Sequence, residues 1–580
     1  MPRRGRTAVL ASASKNGPSG PRDGIVKGYG QLVTKVGSKA RAWLERARAI
    51  DLGAWSRYLA QPGVWRERFN QLWRRLPDMG VLGLLAAIHS ILGRPFLFAP
   101  MTFDEQFFLF EGFSLGRGLV PYRDFQELKP PAIFLVNMLA LRLFGLPDFR
   151  FRYFLAALSM AAFLTVAIAL LSRRVPRLLV LTVVALMMSH FFDGTFHDSG
   201  INNSETVGLD FYLLGIGVLL LETRHRRGQQ ITGGVLLALT ALSKEPFCAP
   251  VLATWLALMA LRQNESGEPG AWRSFAKHTV GGAVGLGLLW LGYMLVTRSL
   301  GAYLIQLRQI MVYSAEHNVM YGVFPKLSFL GTLKEFWRRL QSSYVNAPHL
   351  ILFTPLWLAA LLLWRRRTLM MAAAAVGVFL AALYAVTIGR GFFAHYFLIA
   401  MTGTFFWAVL GTIALGERMR DLDLKTRRWI ISVVAVVALS SLGPRLDHDW
   451  DAWAGLKPPA PPVADSLIAL VKRRTARQDR IWNIGMPGLY VFADRLDGSR
   501  IPYMHDSLLH FYQGNTDAER FAPYRAELDR TMPKLVIFST SGAECARYMN
   551  GLIMPFLKDH HYREAHDSAQ PALVLYERPN

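Results

Sequence analysis

Long apolar runs recur from residue 79 to residue 443, and they constrain this chain more than anything else in it. A helix of about 20 apolar residues crosses the ~30 Å hydrocarbon core of a bilayer. Candidate spans are 79–99, 151–172, 178–192, 205–221, 279–297, 349–364, 368–388, 392–415 and 429–443. Segments 131–145 and 231–261 are ambiguous. Only 18% of the residues are charged, against about a quarter in soluble domains. A soluble enzyme, a disordered scaffold and a disulfide-stapled module are therefore excluded. The chain reads as a polytopic α-helical membrane protein with a soluble C-terminal tail.

Charge orients it. The net charge is +24, and residues 1–75 carry 16 Lys and Arg against Asp23, Glu45, Asp51 and Glu67. A basic block before the first span reads as cytoplasmic, and anionic headgroups account for it better than nucleic acid does. Residues 1–40 read as a disordered basic tail. Residues 41–78, with Trp43, Trp55, Trp65 and Trp73 among arginines, read as amphipathic helices on the inner leaflet. The turns at Arg173-Arg174, Arg226-Arg227, Arg365–Arg367 and Arg427-Arg428 are basic and expected inside.

That parity places residues 100–130 outside. Segment 131–145 then begins and ends outside. Its ~15 residues would reach ~23 Å as a helix, so it is expected to be juxtamembrane or re-entrant. Segment 231–261 becomes a hairpin broken at Lys244-Glu245-Pro246. About 11 spans result, with the N-terminus inside and the C-terminus outside. The catalytic region is then 79–443, with a first outer loop at 100–150.

Residues 444–580 begin with a Pro-rich linker and continue as a small α/β pattern. Helices are expected at 464–474 and near 517–530, and strands at Ile481–Ile484, Leu535–Phe538 and Ala572–Tyr576. The two cysteines, Cys248 and Cys545, are not expected to pair, and Cys248 is expected to pack in its apolar segment.

Ionisable residues near membrane depth are costly and usually functional. Here they fall on the expected outer side in four groups. The first loop holds Asp104-Glu105, then Tyr122-Arg123-Asp124, then Glu127 and Lys129-Pro130-Pro131. On a helix, Asp104, Phe108 and Glu111 share a face. Gly118 and Pro121 end that helix, and the two prolines start the next. The second group is Asn202-Asn203 with Glu205, the third Lys244-Glu245, and the fourth Arg390 with His395-Tyr396. Plainer readings are open for each: interfacial acids, a snorkelling lysine, a helix cap at 202–205, a local Lys244-Glu245 ion pair, and aromatic-belt neighbours at 390–396. Their sorting to one face favours function.

Asp104-Glu105, then Gly118-x-x-Pro121-Tyr122-x-Asp124, then Lys129-Pro130-Pro131 resembles the first-loop signature of the GT-C class of membrane glycosyltransferases. The similarity is to the bacterial relatives of protein O-mannosyltransferases and of the lipid A aminoarabinose transferase. It is best over residues 100–250 and weaker at Arg390–Tyr396. The resemblance implies transfer of a sugar from a polyprenyl phosphate to an acceptor hydroxyl on the outer face, with inversion. The acceptor class would be an envelope glycan, lipid A core or a protein, and the setting a bacterial inner membrane. In that chemistry Asp104 is the candidate general base, with Glu105 assisting. Lys129, followed by Lys244 and Arg390, would meet the charge growing on the leaving phosphate. Tyr122, Asp124, Asn203, Glu205, His395 and Tyr396 are candidate substrate contacts. No compact ligand set for a hard divalent cation is visible; no cofactor is expected, although one branch of the class uses a metal. A transporter or flippase, and an envelope polymerase or ligase, are the competing classes.

Overall fold

The structure, a computed structural model, describes residues 62–127, 129–146, 149–192, 202–223, 225–308, 366–388, 394–436, 463–500, 516–539, 549–565 and 573–579, with a few isolated positions between. The chain divides into two compact units, 1–77 and 78–580. Of the first, only the opening turns of α1 (Pro62–Phe98) are described. The expected spans at 349–364 and part of 429–443, Arg390, and the expected tail and interfacial helices up to residue 61 lie outside the described residues.

The second unit continues with α2 (Phe103–Gly116), α3 (Ala132–Phe144), α4 (Phe151–Ser172), α5 (Arg177–Phe191), α6 (Ser204–Leu220), α7 (Arg226–Ala241), α8 (Cys248–Ser266), α9 (Ala271–Val296), α10 (Arg366–Ile388) and α11 (Phe397–Met419). Among the described residues, five helices are long and apolar enough to cross a membrane: Leu76–Phe98 within α1, α4, α9, Leu369–Thr387 within α10, and α11. The shorter helices have a physical place of their own. The 17 residues of α6 reach only about 26 Å, yet nearly all are buried. A helix apolar on every side belongs at the centre of a bundle. At 13 residues, α3 is one of the shorter apolar helices.

Burial separates the long helices. In α11 94% of the apolar window is buried, and in α9 only 17%. Exposed Val280, Val284, Leu288 and Leu295 lie along α9 at the spacing of one face, a surface suited to lipid. Helix α10 packs along α11, α9 along α7, and α6 against both α4 and α7. The α7–α9 approach uses small residues: a Cβ on Gly234 would overlap the Thr279 carbonyl, and one on Gly282 the Ile231 carbonyl.

The expected hairpin is present. Helices α7 and α8 are joined through Leu242–Lys244 and one 3-10 turn, Glu245–Phe247. Cys248 opens α8 with its side chain exposed, which differs from the packed position expected of it. Residue 248 stands on the outward face of the helix, with Leu252 and Leu256, both exposed.

The C-terminal elements are α12 (Asp465–Arg474), β1 (Arg480–Ile484), α13 (Gly488–Ala493), β2 (Leu496–Asp497), α14 (Asp517–Thr531), β3 (Leu535–Ser539), α15 (Met554–Asp559), β4 (Arg563–Glu564) and β5 (Leu573–Glu577). The strands form one sheet in the order β2-β1-β3-β5-β4. Strand β1 is parallel to β2 and β3, whereas β5 runs antiparallel to β3 and β4. Alternation splits its residues between two cores. Ile481, Leu535 and Ile537 join the large core with Leu489 and Val491 of α13. Trp482, Ile484, Val536 and Phe538 pack with Phe521, Leu528 and Phe556. Helix α13 in turn sits on α2: the Gly488 amide donates to Gln106 Oε1 at 3.3 Å, and the Phe110 and Tyr490 rings are 4.9 Å apart.

Candidate active site

Thr102 caps α2, its hydroxyl accepting from the Glu105 amide at 3.3 Å. Asp104 and Glu105 therefore stand in the first turn, where a helix dipole favours carboxylates. Adjacent helical residues diverge by ~100°, and here the two part company. Glu105 is fully buried and takes a two-point bond from Arg152, Nε to Oε1 at 2.9 Å and Nη2 to Oε2 at 2.7 Å. Arg152 Nη1 also donates to the Leu97 and Ala99 carbonyls, at 3.0 and 2.6 Å. Glu105 is thus committed to fastening α2 to α4, a placement at odds with its expected assistance to Asp104. Arg152 gave no sequence signal, because an arginine at the start of an apolar helix reads as interfacial.

Half-buried Asp104 looks the other way. Its electrostatic neighbours are Lys129 and Glu111. Glu111 is buried; burial and then the nearby Glu127 push its carboxyl well above the ordinary range.

The loop after α2 is a knot of its own side chains. Gly118 and Tyr122 both have positive φ, 86° and 66°, and a non-glycine residue accepts that conformation only when held. Asp124 Oδ2 accepts from the Val120 amide at 2.9 Å, and Arg123 folds onto Asp124. The Tyr122 hydroxyl donates to the Lys129 carbonyl at 3.0 Å, and the Lys129 amide donates to Glu127 Oε1 at 2.7 Å. Asp124 and the Tyr122 hydroxyl, expected as substrate contacts, make these bonds within the loop. The knot sets Lys129 immediately before Pro130-Pro131 and α3. Burial alone would lower the ammonium's pKa; the fields of Tyr396, Glu205, Glu127 and Asp104 override it and hold Lys129 charged.

Asn203 caps α6, accepting from the Thr206 amide at 2.6 Å, so its carboxamide oxygen serves the helix. Its neighbour Asn202 exchanges amide hydrogen bonds with Asn137 of α3, at 2.8 and 2.9 Å. These contacts present Glu205 on the first turn of α6. Lys244, from the hairpin tip, pairs with Glu205 Oε1 rather than with adjacent Glu245. His395 Nε2 lies 3.7 Å from the same oxygen, and the Ser204 hydroxyl donates to Glu205 Oε2 at 2.8 Å. The Lys244 ammonium also stands 3.7 Å over the Tyr396 ring, a cation–π contact. The Ala132 amide donates to the Leu242 carbonyl at 3.0 Å, tying the start of α3 to the hairpin.

All four sequence groups therefore send members to one place. Asp104, Lys129, Glu205, Lys244, His395 and Tyr396 meet there; Arg390 lies outside the described residues. The result is two carboxylates, Asp104 and Glu205, beside two lysines, at the start of α6 and the end of α7. Among the described residues no three His, Cys, Asp or Glu side chains are gathered as a metal-binding group.

No family model matches the sequence, and no curated protein matches it. Solved structures of the Archaeoglobus fulgidus oligosaccharyltransferase are similar to the chain at low identity. Its apo form is 12% identical, with 87% of this chain and 75% of that one covered and a TM-score of 0.47. Its complex with Zn and sulfate is 13% identical, covering 86% and 73%, at a TM-score of 0.43. The same archaeal enzyme with an inhibitory peptide and a dolichol-phosphate is 12% identical, covering 88% and 75%, also at 0.43. At these scores the likeness decides neither the fold family nor the activity of this chain.

Proposed function

We propose that this chain is an integral membrane glycosyltransferase of GT-C type, moving a sugar from a polyprenyl phosphate to an acceptor hydroxyl. The observation that carries the reading is the convergence of Asp104 with Lys129 and Lys244 from segments far apart in sequence. The first-loop resemblance supplies the reaction class.

In this reaction the acceptor O–H loses its proton to the Asp104 carboxylate. The acceptor oxygen bonds to the anomeric carbon as the bond from that carbon to the phosphate oxygen breaks. The electron pair leaves on the lipid phosphate, and Lys129 and Lys244 meet the added charge. Glu205 and the Tyr396 ring hold Lys244 in position, with His395 beside them. Arg390 is a further cation candidate on sequence grounds alone. Glu105, Tyr122, Asp124 and Asn203 make the bonds that shape the site. The proposed topology has about 11 spans, an inside N-terminus and an outside α/β segment in a bacterial inner membrane. The donor sugar is transferred to an envelope glycan, lipid A core or a protein.

Asp104→Asn tests this reading. Removing a general base is expected to cost roughly 10²–10⁴-fold in rate and leave the protein at normal level. Mass spectrometry of lipid extracts and envelope glycans then finds one polyprenyl-phosphate sugar accumulating, while one glycan, glycolipid or protein loses the same mass. Unchanged pools with the variant at wild-type level would remove Asp104 from the reaction and leave transport as the class to test.

A further inference from the structure

At the other end of the α7–α8 hairpin lies a second charged feature. The 16 residues of α7 separate it from Lys244 by about 24 Å of helix. A cavity of about 340 Å³ opens between the start of α7, the end of α8 and the start of α9. Its charged and titratable lining is Arg226, Arg227, Arg262, Glu265, Glu268 and His278, with Gln230 among them.

Its charges do not cancel inside the wall. Glu265 is taken by Arg173 at 2.8 Å and by Arg262 at 3.1 Å. His278 Nδ1 meets Gln230 Oε1 at 3.1 Å. Arg226 and Arg227 are exposed, and among the described residues neither has an acidic partner. No acidic residue stands in the first turn of α7 or α9, so the positive field of those two helix starts is opposed only by exposed Glu268, two residues before Gly270, and by the end of α8. With three arginines against Glu265 and Glu268, the wall keeps an excess of positive charge that suits an anion, and the Arg226 and Arg227 guanidiniums match phosphate geometry.

Depth selects the source of that phosphate. Exposed apolar Val280 follows His278 by two residues, ~3 Å along the helix axis. Exposed Leu256 precedes Arg262 by six residues, ~9 Å. Trp272 beside the cavity is also exposed, and tryptophan collects at the headgroup level. The arginines thus stand where the hydrocarbon ends and lipid phosphates begin.

We propose that this cavity binds the phosphate of an anionic membrane lipid and so clamps the base of the hairpin that carries Lys244 at its tip. The proposal rests on the membrane reading of the chain and is independent of the transferase reading.

The test uses the full chain in nanodiscs of phosphatidylcholine alone, or of phosphatidylcholine and phosphatidylglycerol in equal amounts, at fixed ionic strength. Thermal unfolding and lipid retention in native mass spectrometry are read for the wild type and for the double variant Arg226→Gln, Arg227→Gln. A ligand bound by the folded state alone raises its stability. The wild type is expected to gain a few degrees in phosphatidylglycerol and to retain that lipid. The variant, matching the wild type in phosphatidylcholine, is expected to lose both effects. Equal gains in both proteins, or no gain in either, would overturn the site. Inorganic phosphate is titrated in phosphatidylcholine nanodiscs as a separate arm. An arginine-dependent gain there, with none from phosphatidylglycerol, would overturn the lipid as the source.

Discussion

Two buried carboxylate–cation pairs lie in the same half of this protein and are built differently. Glu105 and Arg152 are sealed, at 0% and 1% exposure, and the guanidinium spends its donors on both carboxylate oxygens and two carbonyls. Four of its five N–H donors are used in this way. Glu205 and Lys244 are buried too, but the ammonium has one carboxylate and one ring face, with His395 and Lys129 nearby. A second anion can enter that field. The difference teaches that residue type and burial look alike in the two pairs, and that the share of donors satisfied is what separates them.

The sharpest way to break the comparison is Arg152→Ala. It leaves a buried carboxylate without its partner, and such a loss costs about 3–5 kcal/mol. Denaturation of the purified protein should show it as a large fall in stability. A variant as stable as wild type would refute the structural role. Lys244→Met is expected to unfold more readily by a smaller margin, because Lys129 and His395 still face Glu205. Its transfer rate should fall by roughly 10²-fold or more, as for a lost transition-state donor. Stability loss equal to that of Arg152→Ala, with transfer intact, would make the two pairs alike.

The smallest effect concerns Glu111, which neither pair neutralises. Its folded pKa is raised above the unfolded value, so the native state holds the proton more tightly. Stability from this group is fully present below the unfolded value of about 4.3. It declines as pH rises from there through the folded value. Glu111→Gln, which keeps the neutral form, should therefore be the more stable protein at neutral pH by up to about 1 kcal/mol, with the gap closing in acid. Parallel melting curves across pH check this; a gap that widens in acid would contradict the sign.

Much of this was legible in the sequence because it follows from local rules. The apolar lengths gave α4, α9, α10 and α11. The short apolar stretch at 131–145 and the break at Lys244-Glu245-Pro246 gave the short α3 and the two helices α7 and α8. Short runs after helical stretches, at Ile481–Ile484 and Leu535–Phe538, and the final run Ala572–Tyr576 gave three of the sheet's strands. The cap at Asn203 and the helix break near Gly118 were readable from residue type alone.

What the sequence by itself determined is therefore the inventory: apolar helices, where they start and stop, and a set of ionisable residues sorted toward one end. The tertiary structure alone decided which charges meet. Glu205 and Lys244 are 39 positions apart, Glu105 and Arg152 are 47 apart, and no local period links either pair. Adjacent Asp104 and Glu105 look equivalent along the chain. The ~100° turn between neighbouring helical residues sends one into the α2–α4 seam and the other toward Lys129, and only packing fixes which face of α2 is which.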